Sequence, residues 1–460
     1  MSQNAVISNE LGVSQQPNTH SSPLYLQLAN MYAPAWGYGG PVRLMFDYAR
    51  WMSQQFEVEV FTGDVNHDFE RISVKSETIS GVRVSRHKVL SLTLARKSIY
   101  LLSPSLCLQV GLRIWSSDKP AIVHFSEFRG IVPLYAMLLK AIFGARVTLV
   151  HSAFGSLHYK RSNLRKIYDA FLLKSFVKLV SLRIVQNEHE RETYRKICER
   201  HEAIGQRQIT LLPLHTDLAL CNTRHFVESG KHRSAQREIR RAYNIPEAAL
   251  VFVFLGRLHP AKGILRMINA FAEFSRSCSQ ETLLLIVGRD DGFQADVEGY
   301  LSKLGLQKNA RIVNNVYDER FDYYFLADVF LGFPTIFEET MLSSIEALAC
   351  GTPILVSREA DIPYVEEEGA GRVIDFDVRT AANAMASMTQ NLSSYQDNAR
   401  RVVEKHFSGT ATARKLMALF QMAISRSAIP RDLEDTGCIE ASGTPKDTSM
   451  GQAPEAAYSD

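Results

Sequence analysis

Two cations five residues apart, set behind a buried apolar run, are the first feature of this chain with evident chemistry. Val251-Phe-Val-Phe-Leu-Gly256 leads into Arg257-Leu-His259-Pro260-Ala-Lys262-Gly263. The run reads as a strand, Gly256 as a turn and Gly263 as the opening of a helix. Helix N-termini present free N–H groups and the positive end of the dipole, which suits phosphate. Arg257 offers a planar fork that can grip two phosphate oxygens, and Lys262 a point charge. No Gly-Lys-Ser/Thr follows, so the loop is not of the Walker type. The alternative is a turn carrying two solvated cations.

A second cluster starts about eighty residues further on. Phe333-Pro334-Thr335-Ile-Phe337-Glu338-Glu339-Thr340-Met341 runs into Leu-Ser-Ser-Ile-Glu346-Ala-Leu-Ala-Cys350-Gly351. A strand should end near Pro334, a loop should carry Glu338, and a helix should run from about Thr340 to the glycine stop at Gly351. Glu346 then lies about two turns inside that helix, beside Ile345 and Leu348. A carboxylate among such neighbours needs hydrogen-bond donors. A ribose diol supplies two; a helix cap or salt bridge is the alternative.

The first half offers weaker candidates. Pro34-Ala-Trp36-Gly37-Tyr38-Gly39-Gly40-Pro41 is a glycine-rich turn after the first strand, where backbone can approach a ligand without a Cβ in the way. Val147-Thr-Leu-Val150 ends at His151, and a side chain at the carboxyl end of a parallel strand is expected at the ligand crevice. His124, which ends the preceding strand and is followed by Glu127, competes with it. Either histidine could equally be a hydrogen-bonded core residue.

These residues need a scaffold, and the pattern supplies one. Apolar runs at Leu24–Leu28, Val58–Thr62, Ile122–Phe125, Val147–Val150 and Arg183–Gln186 alternate with helical stretches. The alternation resumes with Val251–Leu255, Leu283–Val287, Val329–Phe333 and Pro353–Val356. Such alternation predicts α/β architecture, parallel sheets covered by helices. The expected division is a disordered tail at 1–22, a Rossmann-like lobe at 23–218, a polar linker at 219–245 and a second lobe at 246–406. A helix at 407–426 returns to the first lobe through Leu416, Leu419, Phe420 and Ile424, and a disordered tail occupies 427–460. Both tails are too polar to offset the entropy of ordering. Ile131–Val150 is interrupted by Pro133, Lys140, Gly144 and Arg146, so it reads as a helix to Phe143 followed by a strand rather than a membrane span.

Composition removes several classes. The chain has 460 residues, 46% of them apolar, and a net charge of +3. This balance gives no reason to expect a nucleic-acid binder. The six cysteines form no CxxC pair, which argues against a zinc site or a secreted disulfide scaffold. The N-terminus has no basic start followed by an apolar stretch, so a cytoplasmic location is expected. No Gly-x-Gly-x-x-Gly of the nicotinamide-binding kind is present.

Taken together and in this order, the two second-half motifs resemble the donor-binding lobe of retaining glycosyltransferase family 4, the glycosyl transferases group 1, which has the GT-B fold of two Rossmann-like lobes facing across a cleft. The resemblance implies that Arg257 and Lys262, with Gly263, hold the donor diphosphate. It implies that Glu338 lies at the transferred sugar, that Glu346 binds the ribose, and that Thr340 and Met341 offer backbone N–H groups to the sugar. Glu339 could be argued for the first position, but only Glu338 has the family's spacing to Glu346. In the first lobe Gly39 and Gly40 match a loop near the donor phosphates, and His151 matches a histidine near the sugar. The implied activity is retaining transfer of a sugar from a nucleoside-diphosphate sugar to a hydroxyl of a saccharide or lipid-linked saccharide acceptor, in surface polysaccharide or glycoconjugate biosynthesis. The donor is a co-substrate, and no cofactor or metal is implied; Asp375-Phe376-Asp377 reads as a loop. Alternatives are a non-catalytic sugar-nucleotide-binding partner subunit and a sugar-nucleotide epimerase of similar fold. Two departures stand out: Glu339-Thr340-Met341 replaces the usual Gly-Phe-Gly, and Gly288-Arg289-Asp290-Asp291-Gly292 replaces Gly-x-Gly-Pro. A basic stretch from Lys160 to Arg183 leaves open peripheral contact with the inner face of a membrane.

Overall fold

The computed structural model describes residues 22–93, 102–157, 168–201, 209–216, 218, 232–314, 316, 319–338, 341–360 and 362–427. The tails expected at the two ends therefore fall outside the described residues, apart from Ser22 and Ser427. So do Glu339, Thr340 and the cations Lys160, Arg161, Arg165 and Lys166.

The first sheet contains β1 (Leu24–Ala29), β2 (Glu57–Gly63), β3 (Ser76–Ile79), β4 (Val82–His87), β5 (Ala121–Phe125), β6 (Val147–Ser152), β7 (Val180–Val185) and β8 (Ile209–Leu211). Their spatial order is β3-β4-β2-β1-β5-β6-β7-β8. Only the β3–β4 pairing is antiparallel. The helices of this lobe are α1 (Gly40–Met52), α2 (Pro104–Trp115), α3 (Ile131–Phe143), α4 (Lys174–Leu179) and α5 (Glu188–Arg200). Strand side chains alternate between faces. Leu24, Leu26 and Leu28 pack with Val123, Val147 and Leu149 under α2 to α5. Tyr25, Ile122 and Val150 face the other way, onto Leu44, Met45 and Tyr48 of α1.

The second sheet is wholly parallel: β9 (Leu250–Leu255), β10 (Thr282–Val287), β11 (Ala310–Val313), β12 (Val329–Gly332), β13 (Ile354–Ser357) and β14 (Gly371–Ile374), in the order β11-β10-β9-β12-β13-β14. Around it lie α6 (His232–Ala242), α7 (Ile264–Ser277), α8 (Gln294–Lys303), α9 (Arg320–Leu326), α10 (Leu342–Ala349), α11 (Val378–Gln390) and α12 (Leu392–His406). The linker expectation needs correction at α6. Arg240 donates to the Leu326 carbonyl at 2.8 Å and pairs with Asp328 at 2.8 Å, while Gln236 donates to the Ala327 carbonyl at 2.9 Å. These bonds place α6 inside the second lobe, ahead of residue 246.

The chain crosses between lobes twice, side by side. The Thr216 N–H donates to the Phe407 carbonyl at 3.1 Å, and the Gly409 N–H donates to the Thr216 carbonyl at 3.2 Å. After the second crossing α13 (Gly409–Ser427) lies on the first lobe. Phe420 stacks on Tyr25 with ring centroids 5.5 Å apart and meets His124 edge-on. Leu416 and Phe420 are fully buried there, in a core that continues into the second lobe through Ile345 and Phe407.

Candidate functional site

The second lobe joins the turns after β9 and β10 through closely approaching backbones. A Cβ on Gly288 would lie 1.9 Å from the Gly256 carbonyl oxygen, so only glycine allows this approach of the two turns. Leu258 N–H donates to the Arg289 carbonyl at 2.8 Å, zipping the turns after β9 and β10 together. Arg257 emerges between them and pairs with Asp291 at 2.6 Å. Beyond it a short 3-10 turn, Pro260–Lys262, is capped by the His259 ring, whose Nδ1 accepts from the Ala261 N–H at 3.1 Å. Gly263 opens α7 at φ 68°, and a Cβ there would fall 1.7 Å from the Phe333 carbonyl oxygen, so only glycine fits.

That contact seats the glutamate loop on the phosphate turn. Thr335 N–H donates to the Ala261 carbonyl at 2.9 Å, and Glu338 N–H to the Glu359 carbonyl at 2.7 Å. The Lys262 ammonium forms an ion pair with the Glu338 carboxylate. Two of the expected site residues, 76 positions apart, therefore meet directly. Phe337, beside Glu338, stacks on His189 of α5 with centroids 3.8 Å apart, so the loop also reaches the first lobe.

Glu346 is held elsewhere. It sits in the second turn of α10, which starts at Leu342 rather than Thr340. Its two oxygens accept from Arg320 at 3.1–3.2 Å and from the Tyr324 hydroxyl at 3.1 Å. Burial pushes its pKa up, but Arg320 and then Arg43 outweigh that effect, and the carboxyl is held below its ordinary value. Arg43, in the first turn of α1, lies 5.2 Å from the Trp36 ring centroid. Arg43 acts on Glu346 from the first lobe, so the Gly39-Gly40 end of α1 lies near α10 of the opposite lobe. Gly39 has φ 111° with open space where a Cβ would stand. Met341 is buried, and its sulfur lies 2.8 Å from where a Cβ on Gly332 would be. Its side chain thus belongs to the core, leaving only its backbone for a ligand; Thr340 lies outside the described residues.

The expectation that His151 opens onto the crevice is corrected by the strand's alternation. It shares a face with Val147 and Leu149 and is wholly buried among Phe125, Phe128, Phe176 and Tyr194, with Nδ1 3.1 Å from the Tyr194 hydroxyl. Burial lowers its pKa to about 3, with the nearby His124 and Arg183 adding and a backbone hydrogen bond at Ser126 opposing. His124 is equally buried, between the Tyr25 hydroxyl at 2.7 Å and the Ser152 hydroxyl at 2.8 Å. Burial holds it at about 3 as well. Neither ring lines a ligand crevice in this structure. Asp375 pairs with Arg358 at 2.7 Å, and Asp377 caps α11 by accepting from Arg379 and Thr380 N–H. No group of three or more potential metal ligands occurs among the described residues.

Arg43, Arg320, Tyr324 and His189 were not legible as site residues. Arg320 and Tyr324 carry one weak signal, their i, i+4 spacing on α9, which aims both at one spot.

Residues 235–405 match the family described as Glycosyl transferases group 1. The D-inositol 3-phosphate glycosyltransferase of Corynebacterium efficiens is 30% identical over 213 residues, 44% of this chain and 50% of that protein. The chain thus spans about half the length of the curated relatives it matches. Sucrose-phosphate synthase from Thermosynechococcus elongatus superposes with a TM-score of 0.70 at 20% identity, covering 88% of this chain and all of that one. Anabaena Alr3699/HepE in complex with UDP and glucose gives 0.66 at 16% identity, covering 87% of this chain and all of that one. With two parallel-rich sheets and the phosphate turn strapped to the glutamate loop, the chain has the GT-B fold, and its second lobe matches the glycosyl transferases group 1 family.

Proposed function

We propose that this protein is a retaining glycosyltransferase that moves a sugar from a nucleoside-diphosphate sugar to a hydroxyl of a saccharide or lipid-linked saccharide, in surface polysaccharide or glycoconjugate biosynthesis. The observation that carries the reading is the assembly of Arg257, Lys262, the Gly263 helix end and Glu338 on one strapped pair of loops. In the reaction the bond from the anomeric carbon to the diphosphate oxygen breaks. The bond to the acceptor oxygen forms, and the acceptor hydroxyl proton passes to the leaving diphosphate oxygen. Negative charge grows on the leaving diphosphate, where Arg257, Lys262 and the α7 N-terminus are placed to stabilise it. Glu338 holds Lys262 in position until the donor phosphates take the ammonium over. The test is a screen of UDP-, GDP-, ADP- and dTDP-sugars for release of nucleoside diphosphate, with Arg257→Ala/Lys262→Ala as control. Slow turnover of one donor, absent from the variant, supports the reading. Nucleotide binding without turnover, even with saccharide acceptors added, favours a partner subunit instead.

The acceptor side has a surface suited to lipid. Leu108, Leu112 and Trp115 of α2, Leu138 and Ile142 of α3, and Phe171 are exposed on the outer helix layer of the first lobe. Residues 102–180 carry eleven Lys or Arg against three Asp or Glu. Of those three acids, Asp169 is paired with Arg129. Exposed apolar side chains in a segment of net positive charge suit an anionic bilayer surface. No helix among the described residues is long and apolar enough to cross a membrane. Contact of this face with a membrane is therefore peripheral in this reading. Co-sedimentation with phosphatidylglycerol vesicles, weakened by Leu112→Ser/Trp115→Ser, is expected; no binding at low salt would reject it.

A further inference from the structure

The turn that departs from the family pattern, Gly288-Arg289-Asp290-Asp291-Gly292, has a separate task for each charged residue. Asp290 caps α8, accepting from the Gly292, Phe293 and Gln294 N–H groups at 2.8–3.0 Å. Asp291 takes Arg257 at 2.6 Å. Arg289 leaves its own lobe and pairs with Asp68 of the first lobe at 2.9 Å, while its other terminal nitrogen lies 3.6 Å from Asp291. Acid and cation thus alternate across the cleft: Asp68, Arg289, Asp291, Arg257.

Asp68 is presented by a braced tongue. Asn66 accepts from the Asp68 and Glu70 N–H groups at 2.9 Å, Ile72 N–H donates to the Asp64 carbonyl at 2.9 Å, and Arg71 pairs with Asp64. The neighbouring His67 ring lies 3.2 Å from Asp68 and fills the space over Gly37, where a Cβ would come within 2.3 Å of it. The tongue therefore backs the Trp36–Gly40 turn, and the row of charges joins that turn in one lobe to the cation after β9 in the other.

We propose that Asp68, Arg289 and Asp291 are positioning residues that couple the approach of the two lobes to the placement of Arg257 against the diphosphate of a nucleotide donor. When the lobes meet, Asp68 fixes Arg289, Arg289 fixes Asp291, and Asp291 holds one side of the Arg257 guanidinium. The remaining N–H groups of Arg257 then face the phosphates. The proposal rests on the donor-site reading of Arg257.

Titration calorimetry with UDP, GDP and ADP on the full chain tests it, using the tightest of the three. Partly exposed ion pairs contribute about 0.4–1 kcal/mol when well formed, so Asp68→Asn and Arg289→Gln should each weaken binding by about two- to five-fold. The double variant should be no weaker than either single one, and Asp68→Asn should have no effect in an Asp291→Asn background, since coupled residues are non-additive. Small-angle scattering should show nucleotide-induced compaction that the Asp68→Asn variant loses, a change that local destabilisation would not produce. Additive losses, or an unchanged affinity in Asp68→Asn while Arg257→Ala abolishes binding, would overturn the coupling and leave the donor site standing. Unchanged binding in Arg257→Ala would remove the donor reading itself.

Discussion

The two lobes share a sheet architecture and differ in what they do with polar groups at strand ends. In the second lobe the turns after β9 and β12 carry Arg257, Lys262 and Glu338 outward, each tied to a neighbour on the adjoining loop. In the first lobe His124 and His151, at the ends of β5 and β6, turn into aromatic packing on opposite faces of the sheet. Topology dictates where a crevice lies, but the parity of a residue along its strand decides whether its side chain reaches that crevice. Arg257 sits in the turn beyond the end of β9, whereas His151 lies within β6.

The comparison can be broken at its sharpest point by Glu346→Gln. Arg320 would lose the carboxylate charge it pairs with, and breaking a buried pair costs about 3–5 kcal/mol. A matching fall in urea stability would mean that even the charge-rich lobe uses this carboxylate chiefly for structure. Full stability with lost nucleotide affinity would instead give Glu346 to the ligand. Next in size, Arg257→Ala/Lys262→Ala should lower donor turnover by at least about 100-fold, near 2.7 kcal/mol, because both groups meet charge that develops on the leaving diphosphate. Circular dichroism should find the fold unchanged, as both side chains are partly exposed.

In the first lobe the effect is a slope of stability with pH. His124 and His151 are held near pKa 3 when folded, against 6.5 when free. The unfolded chain therefore binds protons that the folded chain does not, and stability falls as pH drops from 6.5 toward 3. Each ring contributes about 1.4 kcal/mol per pH unit in that window. Glu190, raised to about 7 by burial, acts in the opposite sense: between 4.5 and 7 the folded chain keeps a proton that the unfolded chain has lost. It offsets one histidine there, so acid loss should steepen below about pH 4.5. Urea titrations across this range, repeated with His151→Gln, check the slope; an unchanged slope in the variant would mean that the ring is not the buried neutral group described.

Much of this was legible in the sequence, and the gaps have physical causes. Strands with continuous apolar runs, such as β9 and β10, are buried on both faces and read plainly. Val82–His87 alternates, with Arg83 exposed between buried Val82 and Val84, and its partner β3 is short and polar. Ile209–Leu211 is three residues long and only half-buried. The grouping of Lys262 with Glu338 at one site followed from reading the two motifs together, but their direct ion pair did not. The pairing of Glu346 with Arg320 did not, because the arginine comes from α9, 26 positions away, with no motif around it. The Gly288–Gly292 turn looked like a loss of pattern, yet its three charged residues each have a partner in space.

The doubled crossing at Thr216 and Ser408 has a mechanical consequence. Two passages of chain joined by hydrogen bonds resist sliding past one another. Because α13 is packed on the first lobe beyond them, that lobe is a body made from both ends of the described chain, and the second lobe is tied to it through both passages at one place.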